Sequence, residues 1–593
     1  MTTRATRSPR RRTVVALAVV LAVLVVFVVR LVDIQVVSAD EHVDDSLAMG
    51  IGAKSELYGT RGSIVDTNGQ TLAGSILQYD AELDPSNVGP INRTDASGER
   101  VEVDWPTLAG EIGAITGQSA DEVQRIVSDA LAANPDTQWA ALTTGLSTEK
   151  YRALAELGIP FLYMKQHPAR TYPDGAVAGN LVGFVGSDGT PLEGLEGSQD
   201  SCLAATDGER TYQRGKDGVV IPGTEVVTPA VDGGTLTLTI DRDLQWYLQQ
   251  LIAEQTQNQS ALHGQIMVVE AATGKIRAAA EYPTVDPNNV SATAAEDRSS
   301  RIFRGQFEPG STFKALTAAM AIDTGAATPT STVVASGRET FPNGARVTDA
   351  ISHGATNYTL AGVLIDSSNV GISKFAEMVP AQTRYDYLEK FGIGEVSGVG
   401  FPNEEDGVLR PVADWDDQTY YNTAFGQGVA TTLPQLMGAY QAIANDGAKV
   451  PLSLIESCTL SDGTVQATDV GATTQVISAS TAQQVREMLE NVFVQGGNSK
   501  AVAIDGYRVG GKTGTGEISE NGVYKNGVYF TTMIGMAPVD DPEYIVAVTL
   551  DQPTAVRSSA ANAAAFQQAM TQVLKTFRVM PSDSQPVLLP KTG

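Results

Sequence analysis

Three short segments hold side chains that could do chemistry: a serine near a lysine, a hydroxyl beside an amide, and a lysine among glycines and threonines. In Glu308-Pro309-Gly310-Ser311-Thr312-Phe313-Lys314, Pro-Gly ends an extended stretch, and the apolar spacing predicts a helix from Ser311 to about Ile322. Ser311 then sits at a helix N-terminus, where free N–H groups and the dipole favour developing negative charge. Lys314 follows three residues later, one turn up the same face. A lysine within reach of a serine hydroxyl is its base once desolvation or a cationic neighbour lowers its pKa. By itself Ser-x-x-Lys is a weak signal and reads first as a capped amphipathic helix with an exposed lysine. Asp366-Ser367-Ser368-Asn369 places a hydroxyl beside an amide, suited to proton relay and to holding a substrate amide, or to capping a helix. In Val509-Gly510-Gly511-Lys512-Thr513-Gly514-Thr515-Gly516, glycines about a short strand let a substrate backbone approach. Lys512 supplies positive charge there, and Thr513 and Thr515 supply hydroxyls for a carboxylate. The same Lys-Thr-Gly recurs as Lys591-Thr592-Gly593, in a tail with Pro581, Pro586 and Pro590 and no strand pattern. That copy reads as incidental and the tail, residues 578–593, as disordered. Leu589-Pro590-Lys591-Thr592-Gly593 has the form of a cell-wall sorting pentapeptide, but no apolar segment or basic tail follows it, so that reading is rejected.

The elements that must position these residues fall into two regions. From Gly234 onward, Thr235 to Ile240 is a strand pattern followed by a helical stretch, Asp243 to Gln255. Gln265 to Glu270 and Lys275 to Glu281 flank a hairpin signal at Ala272-Thr273-Gly274. A helical, loop-rich middle follows. Tyr529 to Ala537 and Tyr544 to Leu550 then form another strand pair, and Ser558 to Phe577 a last amphipathic helix. Strands at both ends with helices between predict an α/β sandwich whose sheet joins distant segments. Before Gly234 the elements are shorter. Strand patches occur at Gly62–Val65 and Leu77–Leu83, with helical spacing from Thr107 to Thr116 and Ala120 to Ala132 and a Ser147-capped helix to about Leu157. This reads as an elongated mixed α+β module spanning residues 57–232, with a helical insert at about 100–165.

Composition sets the compartment. The 593 residues carry 41 Lys plus Arg against 68 Asp plus Glu, a net charge of −27, which argues against a nucleic-acid binder. The length corresponds to about four domain-sized units. Residues 1–32 hold six arginines and no acid, so the charge divides into +6 there and −33 beyond. Val14 to Val32 is apolar apart from Arg30, and its length at ~1.5 Å per residue is about 28 Å, close to a bilayer core. Arginines before the span predict a cytoplasmic N-terminus (1–13), a membrane helix (14–32), an extracytoplasmic connector (33–56) and everything else outside. A cleaved leader ending near Val37-Ser38-Ala39 is the competing reading. Two cysteines and four scattered histidines (His42, His167, His263, His353) exclude a Cys-rich zinc module, and no metal or cofactor is called for. Cys202 and Cys458 both lie outside the membrane and are a candidate disulfide, with two separate thiols the alternative.

Taken together and in this order, Ser311-x-x-Lys314, Ser367-x-Asn369 and Lys512-Thr513-Gly514 resemble the motif set of penicillin-binding proteins and serine β-lactamases. Arg61-Gly62-Ser63-Ile64-Val65-Asp66-Thr67-Asn68-Gly69, Arg170-Thr171-Tyr172-Pro173 and Gly194-Leu195-Glu196 resemble motifs of the class B pedestal. Asp286-Pro287-Asn288 and Phe425-Gly426-Gln427-Gly428 match patterns of the transpeptidase domain, placed at 233–577. The chain looks most like the division-type (septal) enzymes, and the elongation type shares much of the pattern. The resemblance implies a peptidoglycan D,D-transpeptidase, inhibited by β-lactams. Ser311 would be the nucleophile, Lys314 its base, and Ser367 with Lys512 a proton relay. Asn369 would hold the donor amide and Thr513 with Thr515 the D-Ala-D-Ala carboxylate, beside Gly514. The backbone N–H groups of Ser311 and Thr515 would form the oxyanion hole. It further implies a polytopic SEDS-type lipid II polymerase and other division proteins as partners. A D,D-carboxypeptidase, a β-lactamase and a catalytically silent sensor or scaffold are the other readings.

Overall fold

The computed structural model describes residues 9–33, 52–94, 98–213, 220–221, 223–520 and 523–593. Residues 34–51, with His42 and the leader site at Val37-Ser38-Ala39, lie outside them. The chain divides into two units, 1–60 with 205–232, and 61–204 with 233–593.

In the first unit the helix Pro9–Val32 contains the apolar stretch Thr13–Val32, of mean hydropathy 3.2 and unburied along its length. It is the one helix among the described residues long and apolar enough to cross a membrane. The unit also holds a three-stranded antiparallel sheet, with Gly208–Gln213 between Gly52–Leu57 and Val226–Thr228. The end of the expected connector is therefore a strand, because Gly52–Leu57 satisfies its backbone against Gly208–Gln213.

The second unit is built on two sheets. One is organised by the long strand Thr71–Leu83, which pairs with Ile64–Val65, Ala140–Leu146 and Leu162–Thr171. Ile64–Val65 in turn lies parallel to Thr235–Leu238, which pairs with Ile455–Thr459. Helices Trp105–Thr116 and Ala120–Ala133 pack beside this sheet over a core including Leu83, Leu108, Ile112 and Val123. The second begins at a full capping box between Ser119 and Glu122. The three pedestal-like motifs converge on one carboxylate, Glu196, which is fully buried. Arg61 Nε donates to its Oε2 at 2.8 Å, and Arg170 Nε to its Oε1 at 2.6 Å, with the Tyr172 hydroxyl at 3.3 Å. A buried carboxylate is tolerated because two guanidinium groups surround it. Asn288 completes the link, donating to the Tyr172 carbonyl at 2.8 Å and accepting from its N–H at 3.2 Å. Cys202 and Cys458 are bonded, with Cα atoms 6.1 Å apart, tying the short helix Asp200–Leu203 to strand Ile455–Thr459.

The other sheet has five antiparallel strands: β1 (His263–Glu270), β2 (Ile276–Tyr282), β3 (Gly510–Glu520), β4 (Val523–Ala537) and β5 (Tyr544–Asp551), in the order β2-β1-β5-β4-β3. The interior positions of β1 and β5 are buried without alternation, so helices cover both faces, as expected for the α/β sandwich. Helix α1 (Arg242–Asn258) packs on β1 and β2. The others that matter are α2 (Lys314–Asp323), α3 (Leu360–Ile365), α4 (Asn369–Glu377), α5 (Leu433–Ala444), α6 (Ala479–Gln495) and α7 (Ala563–Thr576). All twelve residues of α5 are buried, and α5 also contacts β1 and β5.

The expectation of a disordered tail is corrected. Residues 587–593 lie along the strand Thr356–Thr359 and helix α6. Thr359 N–H donates to the Lys591 carbonyl at 3.0 Å and Gly593 N–H to the Asn357 carbonyl at 3.1 Å. Buried Asn491 donates to the Val587 carbonyl and accepts from Leu589 N–H, both at 2.9 Å. Proline content disfavours helix and sheet interiors, but it leaves the backbone free to pair along an edge.

Candidate active site

The nucleophile candidate lies in a tight turn rather than in the expected α-helix. Gly310–Phe313 is a 3-10 turn that leads directly into α2. With three residues per turn, positions i and i+3 eclipse, so Ser311 and Lys314 project from the same side. Gly310 opens the turn at φ +56° and donates to the Gly426 carbonyl at 3.0 Å. A Cβ on Gly426 would lie 2.3 Å from the Gly310 carbonyl oxygen, which explains the glycine in Phe425-Gly426-Gln427-Gly428. The Thr312 hydroxyl donates to the Pro309 carbonyl at 2.7 Å, and buried Tyr440 donates to the Thr312 carbonyl at 2.8 Å. Ser311 stays half-buried while Thr312, Phe313 and Lys314 are buried.

Strand β3 passes this turn closely. A Cβ on Gly514 would lie 2.7 Å from the Pro309 carbonyl oxygen, and one on Gly516 would lie 2.2 Å from that of Glu308. Lys512, Gly514 and Gly516 thus share the packed face, and Thr513 and Thr515 alternate onto the half-buried one. Among the described residues β3 is the sheet's edge, paired only with β4 in the ladder, and an edge strand can template an extended peptide.

Ser367 holds the two lysines together. It adopts φ +59° between α3 and α4, a left-handed conformation that costs a non-glycine residue about 1–2 kcal/mol. Lys314 Nζ donates to the Ser367 carbonyl at 2.5 Å and lies 3.2 Å from its Oγ; Lys512 Nζ lies 3.0 Å from the same Oγ. Both lysines are fully buried. Burial pulls the Lys314 pKa well down, and the Lys512 charge pulls it further, against a smaller opposing effect of Asp349. Burial likewise pushes Lys512 down to about 7. A neutral amine beside a hydroxyl is a base, and two ammonium groups on one oxygen disfavour each other's charge.

Ser368 is the N-cap of α4, its Oγ accepting from Gly371 N–H at 2.8 Å. The capping reading of this segment is met by Ser368, which leaves the adjacent Ser367 hydroxyl to the two lysines. Asn369 is half-buried, with Nδ2 donating to the Thr348 carbonyl at 2.8 Å. The structure thus brings Ser311, Lys314, Ser367, Asn369, Lys512, Thr513, Gly514 and Thr515 into one site. It adds residues that the motif reading passed over. Glu308 Oε1 accepts from Gly428 N–H at 2.9 Å and from the Tyr524 hydroxyl at 3.0 Å, and burial pushes its pKa up. Asp349 accepts from Ser368 and Val370 at the start of α4. Neither has a sequence signal, since each acts on a segment distant along the chain.

Comparison with known proteins agrees with this geometry. The family described as Penicillin binding protein transpeptidase domain matches residues 264–571, and Penicillin-binding Protein dimerisation domain matches 56–238. Penicillin-binding protein PbpB of Mycolicibacterium smegmatis is 34% identical over 568 residues, covering 90% of this chain and 85% of that one. Peptidoglycan D,D-transpeptidase FtsI of Escherichia coli K12 is 29% identical over 554 residues, covering 92% and 89%. The crystal structure of penicillin binding protein 3 from Mycobacterium tuberculosis complexed with aztreonam is 29% identical, with a TM-score of 0.69 over 91% of this chain and 100% of that one. With a lysine-flanked serine turn at the edge of a five-stranded sheet, and both family regions in place, the chain belongs to the class B penicillin-binding protein transpeptidases.

Proposed function

We propose that Ser311 Oγ attacks the carbonyl of the penultimate D-Ala of a peptidoglycan stem peptide. The C–N bond to the terminal D-Ala breaks, leaving an ester on Ser311. Lys314 takes the hydroxyl proton, and Lys512 passes a proton through Ser367 Oγ to the leaving amine. An amine of a second stem peptide then attacks the ester; its proton passes through Ser367 Oγ back to Lys512, the ester C–O bond breaks, and Lys314 returns its proton to Ser311 Oγ as the crosslink amide forms. The backbone N–H groups of Ser311 and Thr515 receive the tetrahedral oxyanion, a contribution of about 3–4 kcal/mol per donor. Asn369 holds the donor amide, and Thr513 and Thr515 the terminal carboxylate. The observation that supports this reading most directly is the Ser367 hydroxyl shared by two buried lysines, at 3.2 and 3.0 Å. β-Lactams are carried over as inhibitors from the aztreonam complex of the solved relative.

The test is mass spectrometry of the full chain after exposure to a penicillin, with an adduct expected at Ser311 and none in Ser311→Ala. Product analysis with an acceptor amine should give crosslinked dimer. Free acid alone would favour a carboxypeptidase, turnover of a chromogenic cephalosporin a β-lactamase, and labelling without any product a sensor.

The helix Pro9–Val32 anchors the protein in the membrane with its arginine-rich end in the cytoplasm and the catalytic unit outside. A polytopic lipid II polymerase is the proposed membrane partner, tested by co-purification in detergent. The relatives named FtsI and PbpB support placement at the division septum. Depletion should then give filaments, with a fluorescent fusion at septa; rounded cells would point to elongation.

A further inference from the structure

The segment Ser367–Asn369 is strained at Ser367, so something outside it must hold it. Asp349, in the loop after strand Arg346–Thr348, is 8% exposed. Its Oδ1 accepts from Val370 N–H at 2.9 Å, and its Oδ2 from the Ser368 hydroxyl at 2.7 Å. The preceding carbonyl, of Thr348, takes the Asn369 amide. One loop thus grips three consecutive residues directly after Ser367.

His353 closes the loop, its Nε2 2.8 Å from Asp349 Oδ2 and its Nδ1 2.8 Å from the Gly354 carbonyl oxygen. A carbonyl only accepts, and an ionised carboxylate only accepts. Both ring nitrogens must therefore carry protons for both bonds to exist, so the geometry selects the imidazolium. The Asp349 contact is also the main cause that raises the His353 pKa. The loop is fixed from behind at Gly337, which donates to the His353 carbonyl and accepts from Asp349 N–H, where a Cβ would lie 2.7 Å from His353 N. The other groups facing His353 are Asp366, at the end of α3 and paired with Lys591 at 2.8 Å, and the Tyr358 ring, edge-on at 5.5 Å. Asp349 also faces Lys314 electrostatically.

We propose that Asp349 is a positioning residue for the Ser367–Asn369 turn, and that the His353 imidazolium clamps it, so that acylation depends on the charge of one histidine outside the catalytic group. Below the raised His353 pKa both bonds stand. As pH rises through it, one ring nitrogen loses its proton, one of the two bonds is lost with the charge, the clamp weakens and the turn loosens. The catalytic lysines act in the opposite sense, since Lys314 becomes a better base as pH rises. The two effects together give a rate that rises and then falls.

This proposal rests on Ser311 acylation as described above. The test measures second-order labelling of the full chain in detergent by a fluorescent penicillin from pH 6 to 9, for wild type, His353→Ala, His353→Gln and Asp349→Asn. His353→Ala should slow labelling at neutral pH by at least about 10-fold, the scale of small misplacement of reacting groups, and lose the alkaline fall. His353→Gln keeps one neutral N–H donor and cannot titrate, so it should reproduce the deprotonated ring: a rate between wild type and His353→Ala at neutral pH, level to pH 9. Asp349→Asn should slow labelling and shift the rising limb to lower pH, because Lys314 loses a nearby negative charge. A His353→Ala profile that matches wild type overturns the proposal, as does a His353→Gln that is as slow as His353→Ala. If Asp349→Asn does not fold, the two histidine variants decide. A wild-type chain that takes no label overturns the active-site reading and this proposal with it, whereas a labelled wild type with unchanged variants overturns this proposal alone.

Discussion

Lys314 reaches across 53 residues of sequence to donate to the backbone carbonyl of Ser367 at 2.5 Å, so the base candidate also holds the relay residue in its left-handed turn. The proposed base thus also positions the turn, and its loss should be felt in rate far more than in fold.

Lys314→Ala should slow acylation by at least about 100-fold, the usual scale for losing a general base. The second-order rate of penicillin labelling checks this, with circular dichroism to confirm the fold. A rate within a few-fold of wild type would refute the assignment.

The pH dependence should respond to Lys512. Its charge helps to hold the Lys314 pKa down. Lys512→Met removes that charge and leaves burial opposed by Asp349, so the Lys314 pKa should rise and the rising limb of the labelling profile move to higher pH. A limb that stays in place would show that the lysines do not sense each other.

Stability should depend on Glu281, which is buried at the end of β2 and accepts from Arg301 N–H at 2.7 Å. Burial pushes its pKa up to about 7, above the ordinary 4.5. A raised folded-state pKa contributes stability that is full below the unfolded value and lost as pH rises through the folded one. Glu281→Gln cannot ionise, so it should match wild type near pH 4.5 and exceed it above pH 7, by about 3 kcal/mol. Urea unfolding at several pH values measures the difference, and a constant offset would contradict it.

The packed tail makes a steric prediction. A Cβ at Gly362 would lie 1.9 Å from the Lys591 carbonyl oxygen. Gly362→Ala should displace residues 587–593, cost about 1–3 kcal/mol and open the tail to protease. Unchanged proteolysis would show that the tail does not sit in that cradle.

Much of the site was legible along the chain because its chemistry is local in sequence. Ser-x-x-Lys, Ser-x-Asn and Lys-Thr-Gly each fall within a few residues, and the helices and strands that bear them follow from apolar spacing, as at Gln265 to Glu270 and Tyr544 to Leu550. Residue order alone carries the motif set, the apolar N-terminal segment with its divided charge and an α/β frame assembled from distant strands. Only the tertiary structure decided which groups share an atom. That two lysines meet on Ser367 Oγ, that Glu196 gathers Arg61 and Arg170, and that Asp349 grips the turn are relations between segments far apart along the chain. The same holds for the tail, where local composition suggested disorder and buried Asn491 and an open strand edge supplied the partners. Local patterns encode how each segment folds, whereas desolvation and hydrogen-bond partnership belong to the packed whole.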